Sequence, residues 1–234
     1  MFPLVAAVVA FVFAGMLSAQ YARRRRPSQL AWALAMAMYG AASLAALFGV
    51  ANGWTRPEFQ VYWALGAILN VPFLAGGEVM LLNRGRAVRW ATWLVLIFAT
   101  AYTVSVLRGA TLDLTQLAER LPSGKEVFGD GTPAHRLPQL ISIPSFLVLL
   151  AGALWSAWTM RGRPELRDRF VGTLLIAVGA SVVAGGATFA AQGNLPGFCV
   201  TLLVGITVMF LGFLRASRRS PSHAEPVATP SPSG

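Results

Sequence analysis

Basic residues and apolar segments alternate along this chain, and this alternation constrains the fold more than any other feature. Seven apolar segments each approach the roughly 20 helical residues that cross a bilayer core. Arginine clusters follow the first, third, fifth and seventh segments, and short loops rich in Lys and Arg stay in the cytoplasm. The pattern predicts an all-α protein with seven transmembrane helices, its N-terminus outside and its C-terminus cytoplasmic. The clusters hold 14 of the 19 basic residues: Arg23, Arg24, Arg25, Arg26, Arg84, Arg86, Arg89, Arg161, Arg163, Arg167, Arg169, Arg215, Arg218 and Arg219.

The predicted spans form one transmembrane domain, residues 1–219. The first span has no basic residue before it and four arginines after it, the reverse of a secretory signal peptide, so we expect an uncleaved anchor. Residues 220–234 are rich in Pro and Ser, which predicts a disordered cytoplasmic tail. The predicted spans are residues 2–21, 28–51, 59–82, 88–107, 137–160, 170–191 and 196–214.

Composition supports a multi-pass protein of the plasma membrane. The chain is 56% hydrophobic and 12% charged, whereas a soluble domain carries about 25% charged residues. A net charge of +10 favours nucleic acid as a partner in a soluble protein. Here most basic residues lie beside apolar segments, so we expect the cytoplasmic arginine clusters to contact anionic lipids and expect no nucleic acid. Cys199 is the single cysteine, and among apolar neighbours we expect it to pack as a small hydrophobic residue.

The connection over residues 108–136 is the one long loop, and we expect it outside the cell. Asp113 and Gln116 resemble a capping box. Apolar residues then recur at i, i+3, i+4 and i+7, which predicts a short amphipathic helix on the outer surface. An irregular loop is the alternative. The apolar positions are Leu114, Leu117, Ala118 and Leu121, and Pro122 and Gly124 are expected to end the helix.

The third segment carries the most unusual residues. Gly66, Asn70 and Gly77 share one helix face at 100° per residue, and Pro72 removes the hydrogen bond to the carbonyl of Ile68. A polar side chain beside a freed carbonyl is how some carriers build a site at the membrane midplane. The alternative is ordinary packing, with Asn70 bonded to a neighbouring helix.

Glu78 is the only acidic residue inside a predicted span, and an intramembrane carboxylate is a functional hypothesis by default. It lies about four residues, roughly 6 Å, from the end of its helix. One interpretation is an interfacial ion pair with Arg84 and Arg86; the other is a proton or substrate site. Tyr39, Ser181 and Thr207 near other midplanes either line a polar pocket with Asn70 or satisfy backbone carbonyls within their own helices.

Small residues crowd the sixth segment, which predicts close helix packing, with unwinding at the adjacent glycines 185 and 186 as the alternative. The residues are Gly172, Gly179, Ala180, Ala184, Gly185 and Gly186. The seventh segment has no lysine for a retinal Schiff base. Both histidines, His135 and His223, lie outside the spans, so we expect no haem or metal in the bundle and no cofactor.

Residues 62–82, 121–129 and 152–158 together resemble an uncharacterised family of actinobacterial seven-helix integral membrane proteins. The resemblance implies location and topology and carries no catalytic residues. The seven-helix plan with an outer N-terminus is also similar to the membrane sensor regions of some histidine kinases.

These features favour a non-enzymatic structural, accessory or sensory component, and we expect it to associate with a membrane-protein partner or with a second copy of the chain. The alternative is a small-solute carrier with a site around Asn70, Pro72 and Glu78. A lipid-modifying enzyme ranks third, because no acid–base or metal constellation is visible in the sequence.

Overall fold

The computed structural model describes residues 2–83, 85–119 and 121–217, and within them every regular element is helical. Seven helices are long and apolar enough to cross a membrane, which confirms the predicted all-α fold with seven candidate spans. The predicted tail, residues 220–234, lies outside the described residues. The seven helices are α1 (Phe2–Arg24), α2 (Pro27–Asn52), α3 (Arg56–Leu82), α4 (Arg86–Gly109), α5 (Pro133–Met160), α6 (Arg167–Ala191) and α7 (Leu195–Ala216).

Consecutive helices run antiparallel, so α1, α3, α5 and α7 finish at one end of the bundle, which we call the arginine end. The opposite end, where α3, α5 and α7 begin, is the cap end. Each of these three starts is capped by a polar side chain, as expected for helix termini with free N–H groups. Thr55 Oγ1 accepts from Glu58 N in a capping box, and the Thr132 and Asn194 side chains accept from backbone N–H groups in α5 and α7.

Six of the helices pack in a closed ring in which α1 contacts α2 and α7, α2 contacts α3, α3 contacts α5, and α6 joins α5 to α7. The helix α4 lies outside this ring, against α3 and the first turn of α5. In the apolar 18-residue stretch of α4 only 17% is buried, against 56% in the corresponding stretch of α3. Leu94, Val95 and Phe98 on its outer face are each more than 60% exposed. An apolar face this exposed fits contact with lipid chains.

The backbones of α6 and α7 are in close contact at two pairs of glycines, where no side chain would fit. A Cβ atom at Gly179 would lie 2.6 Å from the carbonyl oxygen of Gly205, and one at Gly172 would lie 2.5 Å from that of Gly212. Small residues at such a crossing let two backbones touch. This is the close packing expected for the sixth segment. The helix α6 runs unbroken through Gly185 to Ala191, so the alternative of an unwound segment is wrong.

The amphipathic helix predicted in the long connection does not form. Asp113 accepts hydrogen bonds from the amide and hydroxyl of Thr115, 2.9 and 2.6 Å away, and only a 3₁₀ turn follows, at Gln116–Ala118. Such a local side-chain bond competes with helix formation. Gly124 begins a short helix, Gly124–Phe128, instead of ending one. Tertiary contact explains the change, since a Cβ at Gly124 would collide with the indole ring of Trp63.

Candidate functional site

The helix α3 changes its winding in the middle. It is α-helical over Arg56–Tyr62, π-helical over Trp63–Leu69 and α-helical again over Asn70–Leu82. Pro72 has no N–H to donate to Ile68, as the sequence predicted. A donor from another helix takes part of its place, because the single hydroxyl hydrogen of Ser142 in α5 is shared between the Ala67 oxygen at 2.7 Å and the Ile68 oxygen at 2.9 Å. The proline therefore creates an interhelical hydrogen bond as well as a distortion.

Ser142 belongs to a second π-helical stretch, Pro138–Ser142, and this stretch packs against Trp63–Leu69. We call this the π contact. Pro144 follows within the next turn of α5, and Ser145 bonds back to the Ile141 oxygen of its own helix at 2.7 Å. Single π-helical turns inside α-helices are rare and occur often at functional sites. Two of them facing each other make the π contact the first candidate site.

Below the π contact, towards the arginine end, three consecutive residues of α3 face three different helices. Gly76 lies against Leu96 of α4, and Gly77 lies against the indole of Trp32 in α2. Glu78 faces α5, where its Cγ would be 2.6 Å from a Cβ at Gly152. The Trp32 indole also donates to the Leu74 oxygen at 3.0 Å. Consecutive helical residues point about 100° apart, so this segment places a carboxyl group in the α3–α5 interface.

Glu78 is only 7% exposed, and its Oε1 has no hydrogen-bond partner among the described residues. Exposed Arg86 makes no ion pair with it. The expected ion pair with Arg86 is therefore wrong, because Glu78 turns inward to α5 while the arginine points to solvent; Arg84 lies outside the described residues. A buried carboxylate without a partner is costly in free energy.

Asn70 is the second buried polar residue of α3 without a partner for its oxygen. It is 3% exposed, and no described group donates to its Oδ1. Asn70 and Glu78 are eight residues apart, which is about 12 Å along the helix. They are two separate polar positions on one helix, one next to the π contact and one near the arginine end.

Two of the other three predicted site residues bond to backbone carbonyls instead of to Asn70 or Glu78. Tyr39 donates its hydroxyl hydrogen to the Leu202 oxygen at 2.8 Å and so links α2 to α7. Ser181 bonds to Ala177 within α6 and lies in a groove on the outer surface of the bundle. Thr207 is half-buried in α7. Ser181 matches the alternative, in which a hydroxyl group satisfies a carbonyl of its own helix. Tyr39 does not match it, because its hydroxyl bonds to a carbonyl of another helix, α7.

The structure adds two polar residues that the sequence does not single out. Ser142 is one, although a serine inside an apolar span is a common donor to a carbonyl freed by proline. The other is Thr103 of α4, which is fully buried and whose Oγ1 has no partner among the described residues. Ser142 does not stand out in the sequence, since its acceptors lie on another helix.

The cap end is closed by the segment 110–137, which we call the cap segment and which includes the first turn of α5. The Trp63 indole donates to the Ala134 oxygen at 3.1 Å. Gln60 donates to the Leu107 oxygen at 2.8 Å, at the end of α4. An aromatic cluster fills the space beneath the cap segment, as shown by ring contacts among Trp54, Phe59, Tyr62, Trp63 and Phe128. The first residue of the π stretch is thus bonded directly to the cap segment.

The described carboxylates of the cap segment are exposed. Lys125 donates to Asp130 at 3.2 Å, and this contact holds the pKa of the Asp130 carboxyl below its ordinary value. The hydrogen bond from the Thr115 hydroxyl likewise lowers the pKa of Asp113. Both carboxylates are exposed, and each bonds to a residue only a few positions away within the cap segment.

Comparison with known proteins identifies no relative of this chain. The chain matches no family profile, no curated protein and no solved structure. The features that bear on function are the π contact, the two buried polar residues of α3 and the distribution of arginines.

Proposed function

We propose that this chain is a multi-pass protein of the plasma membrane, with its N-terminus outside, its C-terminus in the cytoplasm and its arginine end in contact with anionic lipids. The arginine distribution supports this orientation. The test is a set of reporter fusions. Fusions after Arg26, Arg86 and Arg163 are expected to report cytoplasm, and fusions near Trp54 and Gly124 the exterior. A cytoplasmic signal at Gly124 would contradict the orientation.

Within the membrane the protein is a non-enzymatic accessory or sensory component. One observation carries this proposal, a path of contacts from the cap segment into the bundle. The Ala134 oxygen accepts from Trp63, the π stretch of α3 begins at Trp63, and the carbonyls of its last turn accept from Ser142 of α5. A partner or ligand that moves the cap segment therefore changes the contact between α3 and α5. The resemblance to an actinobacterial membrane-protein family belongs to this same proposal.

The test is hydrogen–deuterium exchange in lipid nanodiscs. Trp63→Phe keeps an aromatic ring but removes the indole donor. We expect faster exchange both in the cap segment and in residues 138–145, because the π contact loses its tie to the cap. The matched control is Trp93→Phe, whose ring contacts Phe73 in the other half of the bundle. Faster exchange confined to the cap segment would refute the sensory path.

A carrier is the second candidate, with a site around Asn70, Pro72 and Glu78. It is favoured by the buried oxygens of Asn70 and Glu78, which have no described partner. Intramembrane polar groups of this kind mark substrate or ion pathways in many membrane proteins. A thermal-shift screen of small solutes tests it. A solute that stabilises the wild type but neither Asn70→Leu nor Glu78→Gln would support a carrier. Equal shifts in all three proteins would eliminate this site.

A further inference from the structure

A groove runs along the outside of the bundle between α5 and α6. Its volume is about 370 Å³, and it is lined by Leu150 and Leu154 of α5 and by Leu174, Val178 and Ser181 of α6. Leu154 and Val178 are 51% and 53% exposed, so the groove opens towards the bilayer. The Ser181 hydroxyl is already bonded to its own helix. The walls therefore suit an apolar chain and offer it no unsatisfied polar group.

Both walls of the groove lead to arginines. Leu154 is seven residues before Arg161, and Leu174 is seven residues after Arg167, so each arginine lies about 10 Å from the groove towards the arginine end. Seven residues is nearly two helical turns, and Arg167, the first residue of α6, shares a face with Leu174. A cationic position therefore terminates the groove on each helix.

One of these cations is held in place by a ring. The Arg161 guanidinium lies over the indole of Trp158, 5.4 Å from the ring centre. Trp158 follows Leu154 by one turn on the same face and is 67% exposed. Exposed tryptophan is favoured at the headgroup level of a bilayer, where an apolar ring and a wet N–H are both accommodated. Arg161 is thus presented at the depth of lipid headgroups.

The acidic residues of the same turn leave this end of the groove positive. Asp168 pairs with Arg215 of α7, with 3.2 Å between Nε and Oδ1. Glu165 is the other acid, beside Arg161, Arg163, Arg167 and Arg169, which are all exposed. An apolar groove that ends in a cationic surface is complementary to a molecule with a long hydrocarbon chain and a single anionic head.

We infer that the α5–α6 groove is a binding site for an anionic phospholipid, with an acyl chain between Leu154 and Val178 and the phosphate at Arg161 and Arg167. This inference deepens the proposed contact between the arginine end and anionic lipids, and it rests on that contact. The exposed face of α4, around Leu94 and Phe98, is apolar and forms no part of this groove. That face also leads to Trp90 and Arg86, so the groove itself is what distinguishes the α5–α6 surface.

Photo-cross-linking tests the site. The probe is phosphatidylglycerol with a diazirine in its acyl chain, added to the protein in nanodiscs and mapped by peptide mass spectrometry. We expect labelling of residues 150–182 to exceed labelling of residues 94–98. The double variant Arg161→Gln/Arg167→Gln is expected to reduce the groove label at least about fivefold, the value for one basic residue near a lipid surface. Val178→Trp is expected to reduce it as well, by filling the groove.

The matched control is Arg23→Gln/Arg24→Gln, which makes the same charge change beside α1, away from the groove. Wild-type groove labelling is expected there. Equal labelling of α4 and the groove, equal loss in both arginine pairs, or equal labelling by a phosphatidylcholine probe would overturn the site and leave ordinary boundary lipid. A cross-linked dimer through residues 150–182 would replace it with an interface between copies. Nanodiscs present the same lipids on both faces, so these outcomes are independent of the orientation tested by the reporter fusions.

Discussion

The contact between α6 and α7 and the contact between α3 and α5 join neighbouring helices by different means. In the first, paired glycines bring two backbones together, and an added Cβ would meet backbone carbonyl oxygens. In the second, side chains fill the interface, with the Ser142 hydroxyl at the π contact and Glu78 set against Gly152.

The difference concerns how much each interface can adjust. Backbone atoms in regular helices cannot move aside without shifting a whole helix, so the α6–α7 contact has one arrangement. At the α3–α5 contact the meeting groups are flexible side chains and π-helical turns, and two oxygens on α3 remain without described partners. We therefore expect the α6–α7 contact to tolerate less change than the α3–α5 contact.

The largest effect is expected from Gly179→Ala. The added methyl group would lie 2.6 Å from the Gly205 oxygen, and overpacking of this kind costs about 1–3 kcal/mol. Thermal unfolding in detergent should show a clear loss of stability. Gly185→Ala in the same helix is the control, because nothing lies within 4 Å of its Cβ position. Equal stability of the two variants would show that the α6–α7 contact is not rigid.

A smaller loss is expected from Gly152→Ala, since the new methyl group meets the flexible Glu78 side chain. We expect a cost near 1 kcal/mol, at the low end for overpacking. In a Glu78→Ala background the same change should cost little, because the obstructing side chain is gone. A double-mutant cycle of thermal stabilities measures this coupling. Additive losses of thermal stability would mean that the Glu78 side chain does not pack against Gly152.

Ser142→Ala is expected to cost about 0.6 kcal/mol, the average for an interhelical hydrogen bond in one membrane protein. The change leaves the Ile68 carbonyl without its donor from α5. Ser145→Ala is the matched control, since that hydroxyl bonds only to Ile141 in its own helix. In thermal unfolding, Ser142→Ala should be less stable than Ser145→Ala. If Ser145→Ala were the more damaging change, the interhelical bond would not stabilise the π contact.

The smallest effect is expected at Asp130. Its pKa is lowered by Lys125, so its stabilising contribution is present above the ordinary pKa of an aspartate and is lost as pH falls through the lowered value. Because the pair is fully exposed, Asp130→Asn should leave thermal stability at neutral pH unchanged within error. A large loss on this substitution would show that the cap segment depends on its surface charges.

Much of the fold followed from local features of the sequence. Apolar length predicted the seven helices, and Pro72 predicted a break in the hydrogen bonding of α3 at Ile68. Glycine spacing in the sixth segment predicted close packing, which α6 and α7 show. These predictions hold because each depends on residues within one helix, where the period of 3.6 residues and the missing proline N–H act without reference to the rest of the chain.

The candidate site depended on which helices meet. Nothing near Pro72 in the chain indicates that Ser142, 70 residues away, donates to the freed carbonyl. Proximity in sequence suggested Arg86 as a partner for Glu78, but the helix turns Glu78 towards Gly152 of α5. The amphipathic pattern after Asp113 was overruled by a local turn and by the contact of Gly124 with Trp63. The amino-acid sequence was enough to predict seven apolar helices with most of the arginines at one end, because bilayer thickness and helical period act locally. Tertiary structure alone decided which polar groups find partners, because a hydrogen bond between helices depends on two backbones whose relative position no single segment encodes.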